Sequence, residues 1–397
     1  MNLPSDVVEF MTTIEESGYQ CYLVGGAVRD FLSDKKPKDY DFTTNATPEQ
    51  VEEIFEKTIR TGIEFGTITV IFKGKPYEIT TFRLEHRYSD GRRPDRVFYS
   101  DSLKEDLSRR DFTINAIALD KDQNVHDFFN GQIDLQNKVV RAIGRAKVRF
   151  KEDKLRKMRA VRIACENGYD IDQDIKSAIK VDPSLEGVSM ERISIELIRI
   201  IQSHQYARGV RLLFTYDLLM EIFPCLYEII LNMENKKKYY DTLKPAQRDL
   251  YLRFYLMLKP LNNTEAIEKA LRRLKVKKKI IRYVTMMSEY DRIEDIESLI
   301  ALVTKAKEED LEKMLLLDEY KRKNDECTGF VKDCREGKRA MKVTDLEING
   351  KIAQEMGLQR EEIGRAFEQL LKRTMKNPQQ NNEEDLRKML EEMTRNS

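Results

Sequence analysis

A glycine pair ends an apolar run early in the chain, and two aspartates straddling one tyrosine follow a dozen residues later: "CYLVGGAVRDFLSDKKPKDYDFTT", residues 21–44. "CYLV" reads as a buried strand and "AVRDFL" as a short helix behind it, so Gly25 and Gly26 sit at a strand-to-helix turn. "DYDFTT" reads as a second strand, on which Asp39 and Asp41 would point the same way. Two carboxylates side by side repel unless a cation lies between them. Oxygen ligands of this kind suit Mg²⁺, which shares its shell with substrate phosphates. Glu78, in the β-rich "YEITTF", offers a further ligand if its strand neighbours the first. Glycine lets backbone N–H groups approach an anion closely, and Arg29, one turn into the helix, is placed to clamp a phosphate. One such feature is common and weak; the ordered combination is specific.

The chain of 397 residues is long enough for several domains, and 35% of it is charged. Its net charge is only +1, so any anionic partner must be held by local patches. Five scattered cysteines form no C-x-x-C pair, which argues against a disulfide framework or zinc knuckle and for a reducing cytoplasm. No signal-peptide pattern and no membrane-length apolar run is present, so no membrane association is expected.

Up to about residue 140 strand and helix patterns alternate. Thr47 before Pro48 predicts a capped helix start, "KGKP" a hairpin turn between "GTITVIF" and "YEITTF", and "SLKE" a capping box of Ser102 and Glu105. Beyond, the pattern is almost wholly helical, with breaks near 168–174, 258–263 and 375–382. The expected fold class is α+β: a head with a small mixed β-sheet at 1–140, then all-α segments at 141–200, 201–320 and 321–397.

"EDLSRRDFTINAIALD" (105–120) sets Arg109 and Arg110 beside Asp111. The planar guanidinium fork suits phosphate, and the aspartate can accept from a ribose hydroxyl; a surface helix end with ordinary ion pairs is the other reading. In "RFKEDKLRKMRAVRIA" (149–164), Asp153 and Arg156 are three apart on an expected helix and would act side by side. Asp only accepts and Arg only donates. Such a pair matches the amino donor and ring-nitrogen acceptor shared by cytosine and adenine, and mismatches uracil and guanine. Arg159 and Arg162 continue the spacing, but Arg162 lies about half a turn around from Asp153.

"GGAVRD", "DYD", "RRDFTINA", "EDKLRKMRA" and "VSMERISIEL" occur here in the order of bacterial class II tRNA nucleotidyltransferases, the CCA-adding enzymes, and the first half of the chain resembles that family closely. Residues 345–364 look like its tail. The resemblance implies a head, neck, body and tail protein that adds C, C and then A from CTP and ATP to the tRNA 3′ end in the cytoplasm. Two Mg²⁺ ions on Asp39 and Asp41 are implied. Gly25, Gly26, Arg29 and Arg110 would hold the triphosphate and Asp111 the ribose. Asp153 and Arg156 would serve as the template, with Arg159 and Arg162 also binding nucleotide. Glu191, Arg192 and Glu196 read instead as braces between the neck helices. The turn-rich stretch 83–97 is either a disordered surface loop or the mobile family loop used to switch from C to A, carried here by Asp90, Gly91, Arg92, Arg93 and Pro94. An A-adding enzyme with a CC-adding partner, and a poly(A) polymerase, share these motifs. The basic stretch 269–284 is either a phosphate contact or a solvated helix face, and the helices around Gly357 would lie near the tRNA elbow. A homodimer remains open.

Overall fold

The computed structural model describes residues 2–86, 96–244, 248–323 and 325–395. The chain divides into two compact units, residues 1–231 and 232–397. The first is the α+β part. Its elements begin α1 (Ser5–Glu16), β1 (Cys21–Val24), α2 (Gly26–Leu32), β2 (Asp41–Thr44), α3 (Pro48–Ile54), β3 (Thr58–Gly62), β4 (Thr67–Phe72) and β5 (Lys75–Thr81). They continue with β6 (Arg83–His86), β7 (Arg96–Tyr99), α4 (Leu103–Ser108), β8 (Ile117–Leu119), β9 (Val125–Asp127), α5 (Gly131–Gln136) and β10 (Val139–Val140).

Seven strands form one mixed sheet in the order β3-β4-β5-β2-β1-β8-β9. β2 runs antiparallel to β1 and parallel to β5, which puts Asp41 in register with Val24 on one side and Glu78 on the other. One sheet face buries Leu23, Phe42, Val70 and Ile79 against Val7, Phe10, Met11 and Ile14 of α1. The Phe10 ring lies 4.6 Å from that of Phe42 and 5.1 Å from that of Phe55. The opposite face buries Val24, Phe82 and Ala118 against Leu103 and Leu107 of α4. Each buried face removes apolar area worth about 25 cal/mol per Å² from water, which is what holds the thin strands in place.

The local signals resolve largely as expected. Thr47 caps α3 in a full capping box with Gln50. Lys73 and Gly74 form the β4–β5 turn, both with positive φ, the twist a two-residue hairpin needs. Ser102 caps α4 by accepting from the Glu105 N–H, but Glu105 does not close a capping box: its carboxylate takes the Ser100 hydroxyl, and Ser100 accepts from the Ser102 N–H. The expected strand "DYDFTT" is shorter than read. β1 ends where Gly25 turns the chain into α2, so Asp39 and Tyr40 have no ladder partner there and β2 starts at Asp41.

The first unit ends in helices: α6 (Ala146–Glu152), α7 (Leu155–Asn167), the short β11 (Asp170–Ile171) beside β10, then α8 (Gln173–Val181), α9 (Met190–Gln202), α10 (Tyr206–Thr215), α11 (Leu218–Ile222) and α12 (Pro224–Leu231). α7 is buried almost all round. α10 meets α9 so closely that a Cβ on Gly209 would lie 2.4 Å from Ile200 Cγ2. Lys157, fully buried on α7, donates to the Asp182 and Ser184 carbonyls and so ties down the segment between α8 and α9.

The second unit is helical among its described residues. It comprises α13 (Lys236–Leu243), α14 (Leu250–Leu258), α15 (Thr264–Arg273), α16 (Lys278–Tyr290), α17 (Ile296–Val303), α18 (Glu308–Lys321), α19 (Glu326–Arg335), α20 (Gly350–Glu355), α21 (Arg360–Lys376) and α22 (Glu383–Arg395). The basic stretch 269–284 splits by period: Leu271, Leu274, Val276 and Ile280 are buried, while Arg272, Lys277 and Lys278 face solvent. Gly357, at φ +92°, separates α20 from α21 as expected.

Candidate active site

A cleft of about 340 Å³ opens in the first unit, where the end of β1, the start of β2, α4 and α7 converge. Its walls bring together Gly25, Gly26, Asp41, Arg110 and Asp111 from the head segment with Asp153, Arg156 and Arg159 from the helices behind. In sequence the two sets stand 42 residues apart where they come nearest, from Asp111 to Asp153.

At the acid end, Asp41 and Glu78 are register partners at exposed positions of β2 and β5, while Phe42 and Ile79 turn into the core. Asp39 is exposed in the bend just before β2. Asp41 is exposed as a residue, yet burial of its carboxyl, then Glu78 and Asp39, raises it above the ordinary carboxylate value against the pull of Arg110. Gly25 has φ +74°, a left-handed conformation that favours glycine. A Cβ there would sit 3.6 Å from Arg110 Nη1 and 3.7 Å from Asp41 Oδ2, filling the space between cation and carboxylate. Among the described residues no three His, Cys, Asp or Glu side chains are grouped closely enough to hold a metal by themselves. Two carboxylates with excess like charge, across Gly25 from Arg110, are nonetheless a donor set that fits Mg²⁺, which takes the rest of its shell from water and phosphate oxygens.

The RRD stretch is organised by a residue that sequence reading passed over. Asp106, fully buried, accepts from Arg109 at 2.6 Å and from Arg110 at 3.2 Å, and from the Thr43 hydroxyl at 3.1 Å. Burial would raise its carboxyl, but the two guanidinium groups outweigh this and lower it. The signal was its spacing, three and four residues before the arginines on α4. Asp111 is saturated: Oδ1 accepts from the Phe112 N–H and Asn115 Nδ2, and Oδ2 from Arg159 Nε at 2.7 Å and Nη2 at 2.5 Å. Burial opposes ionisation here too, but Arg159, the Asn115 bond and Arg156 hold it at about 2.

Two expected nucleotide ligands, Arg29 and Arg162, are not among the residues lining the cleft. The Arg29 guanidinium is bound by Asp30 and donates to Asn115 Oδ1 at 2.9 Å, so it props the amide that orients Asp111. Arg162, one turn beyond Arg159 and roughly 60° around α7 from it, is buried between Glu196 at 2.5 Å and Glu166 at 2.8 Å. The drift of a three-residue row around a helix takes it there.

The reading pair also differs from the helical arrangement read from spacing. Asp153 is not on α7; it sits at the break between α6 and α7, with extended backbone, and Oδ1 accepts from the Leu155 N–H. Its ion-pair partner is Arg192 of α9, at 2.7 Å, not Arg156. Arg156 is held by Glu152 at 2.5 Å and by the carbonyls of Arg149 and Arg109. Arg192 therefore braces α9, as expected, but it also lines the cleft. The segment holding Asp90, Gly91, Arg92, Arg93 and Pro94 lies outside the described residues.

This convergence of glycine turn, acid pair, RRD stretch and helical wall defines a nucleotidyltransferase with a polymerase-type head. Two family models agree: the Poly A polymerase head domain matches residues 21–141, and the probable RNA and SrmB-binding site of polymerase A matches residues 168–229. The chain belongs to the CCA-adding enzyme family. The CCA-adding enzyme of Staphylococcus haemolyticus is 39% identical over 293 residues, covering 72% of this chain and 70% of that protein. That of Leuconostoc citreum is 46% identical over 207 residues, covering 52% of this chain and 51% of the other. The Bacillus stearothermophilus CCA-adding enzyme in complex with CTP matches with a TM-score of 0.82 over 99% of both chains, at 27% identity.

Proposed function

We propose that this chain adds C, C and A to the 3′ end of tRNA from CTP and ATP, by attack of the terminal 3′-hydroxyl on the α-phosphate with loss of pyrophosphate. The observation that carries this reading is the single cleft shared by Asp41, Arg110 and Asp153, which puts an acid edge, a phosphate-binding arginine and a base-reading carboxylate around one nucleotide-sized space. Asp39 and Asp41, with Glu78 beside them, would hold Mg²⁺. Bound there, the metal would lower the charge cost at the attacking and leaving oxygens. Arg110 faces the triphosphate across Gly25, and Gly26 keeps the backbone there open. Asp111 is placed for the ribose, and because all its lone pairs are engaged, a ribose hydroxyl must displace a donor. Asp153 accepts from the amino group common to cytosine and adenine, and Arg156 borders the same space.

The four-part division belongs to the same proposal. A head at 1–140 is supported by the first matched range, 21–141, whereas the second, 168–229, runs across the proposed neck boundary at 200; the helical body and tail at 201–320 and 321–397 would carry the tRNA acceptor and elbow contacts. Action on tRNA and a chain with no described helix long and apolar enough to span a membrane support a cytoplasmic setting.

The test uses Mg²⁺ and two tRNA transcripts, one ending at the discriminator base and one in CC, with each nucleotide singly and CTP with ATP together. Two C additions, one A and a stop are expected. Addition of A alone to the CC-ended transcript would replace this reading with an A-adding enzyme, and long A ladders would replace it with a poly(A) polymerase.

A further inference from the structure

Arg29 stands in the glycine-turn motif, one turn into α2, yet it is not among the residues lining the cleft. Only 11% of its side chain is exposed, and two of its nitrogens, Nε and Nη2, donate to Asp30 Oδ1. The third, Nη1, donates to Asn115 Oδ1 across 86 residues of sequence. Asn115 closes a short helical turn, Thr113–Asn115, directly after Phe112. That turn brings its amide back onto Asp111, where Nδ2 donates to Oδ1 at 3.0 Å.

A side-chain amide can sit either way round, with oxygen and nitrogen exchanged. Between these two neighbours only one way works. Arginine offers no acceptor, so it must meet the amide oxygen. The Asp111 carboxylate is held ionised and offers no donor, so it must meet the amide nitrogen. Take Arg29 away and nothing on that side holds the amide; once turned over, it aims oxygen at oxygen. Asn115 is only 7% exposed, so little water reaches it to replace a lost donor.

We propose that Arg29 and Asn115 are positioning residues for the sugar: Arg29 sets the amide, and the amide holds the Asp111 carboxylate in the rotation that meets the ribose 2′-hydroxyl. This rests on the nucleotide-adding activity and the ribose role of Asp111 proposed above. Direct contact with phosphate is the rival role for Arg29, whose Nη2 would lie 3.5 Å from a Cβ on Gly26. The two roles differ in what they ask of the sugar.

Single-turnover addition would be measured with CTP and 2′-deoxy-CTP on the transcript ending at the discriminator base. The proteins are the wild type, Arg29→Met, Asn115→Asp, Asp111→Ala and the double variant Arg29→Met with Asp111→Ala. The wild type should prefer CTP. Arg29→Met should lower kcat/KM for CTP about tenfold, the worth of one good hydrogen bond, and leave 2′-deoxy-CTP nearly unchanged, so the preference shrinks by the same factor. Asn115→Asp keeps the bond to Arg29 but turns an acceptor toward Asp111, and should shrink the preference with Arg29 intact. In the Asp111→Ala background, Arg29→Met should cost nothing more, because its effect runs through Asp111. Equal losses for the two nucleotides, persisting without Asp111, would overturn the proposal in favour of phosphate contact or a prop for the fold. An unchanged preference in Asn115→Asp would overturn it even where Arg29→Met fails to fold. A wild type that adds C without distinguishing the two sugars would remove the ribose role of Asp111, and one that adds no nucleotide would remove the activity itself; both would show before any variant is compared.

Discussion

Two groups of carboxylates, at and behind one cleft, are treated in opposite ways. At the acid edge, Asp41 faces Glu78 and Asp39, and its carboxyl is raised. Along the wall, Asp106 and Asp111 are more deeply buried, yet both are lowered, because each is matched by arginine. The protein neutralises the wall itself and leaves the edge for a ligand to neutralise.

The contrast breaks most visibly at the acid edge. Asp41→Asn should cut nucleotide addition by about a thousandfold or more, as loss of transition-state charge stabilisation does. Its thermal midpoint should not fall, since a raised carboxylate gains nothing from being ionised in the fold. Near-normal turnover would end the metal assignment. At the wall the loss should appear in stability. Asp106→Ala strands two arginines and should destabilise the first unit by about 3 kcal/mol, read by urea unfolding; an unchanged midpoint would mean that water satisfies both.

Acid should separate the two groups further. Asp111 titrates at about 2 in the fold, below its ordinary value of 3.8. A depressed carboxylate stabilises the protein above its unfolded pKa and loses that contribution as pH falls through the folded one. About 2 kcal/mol should therefore disappear between pH 4 and pH 2, and Asp111→Asn should remove that slope. The smallest effect belongs to the second unit, where Lys388 pairs with Glu384 one turn along α22, exposed on both sides. Lys388→Ala should leave the unfolding midpoint where it was, as exposed pairs usually do; a clear drop would show that surface ion pairs here do more than expected.

The α+β head and helical remainder were legible because hydrophobic period and turn residues act locally: Thr47, the Lys73–Gly74 turn and Gly357 each did what their neighbours required. The acid pair, glycine turn, RRD stretch and Asp153 were legible because their chemistry lies in short segments. Which side chain pairs with which was not. Spacing on one helix suggested Asp153 with Arg156, and the helix broke between them. Nor could spacing show that Arg29 is paired with Asp30, or Arg162 with Glu166 and Glu196.

By itself, then, the sequence determined the elements, the order of the motifs and the family, since these depend on residues close in the chain. Only the tertiary structure decided that Asp106 holds the two arginines, that Asn115 links Arg29 to Asp111, and that Arg192 rather than Arg156 faces Asp153. The last two of these join residues dozens of positions apart. All three turn on how many donors and acceptors each buried group has left after packing, a count that exists only once the chain is folded.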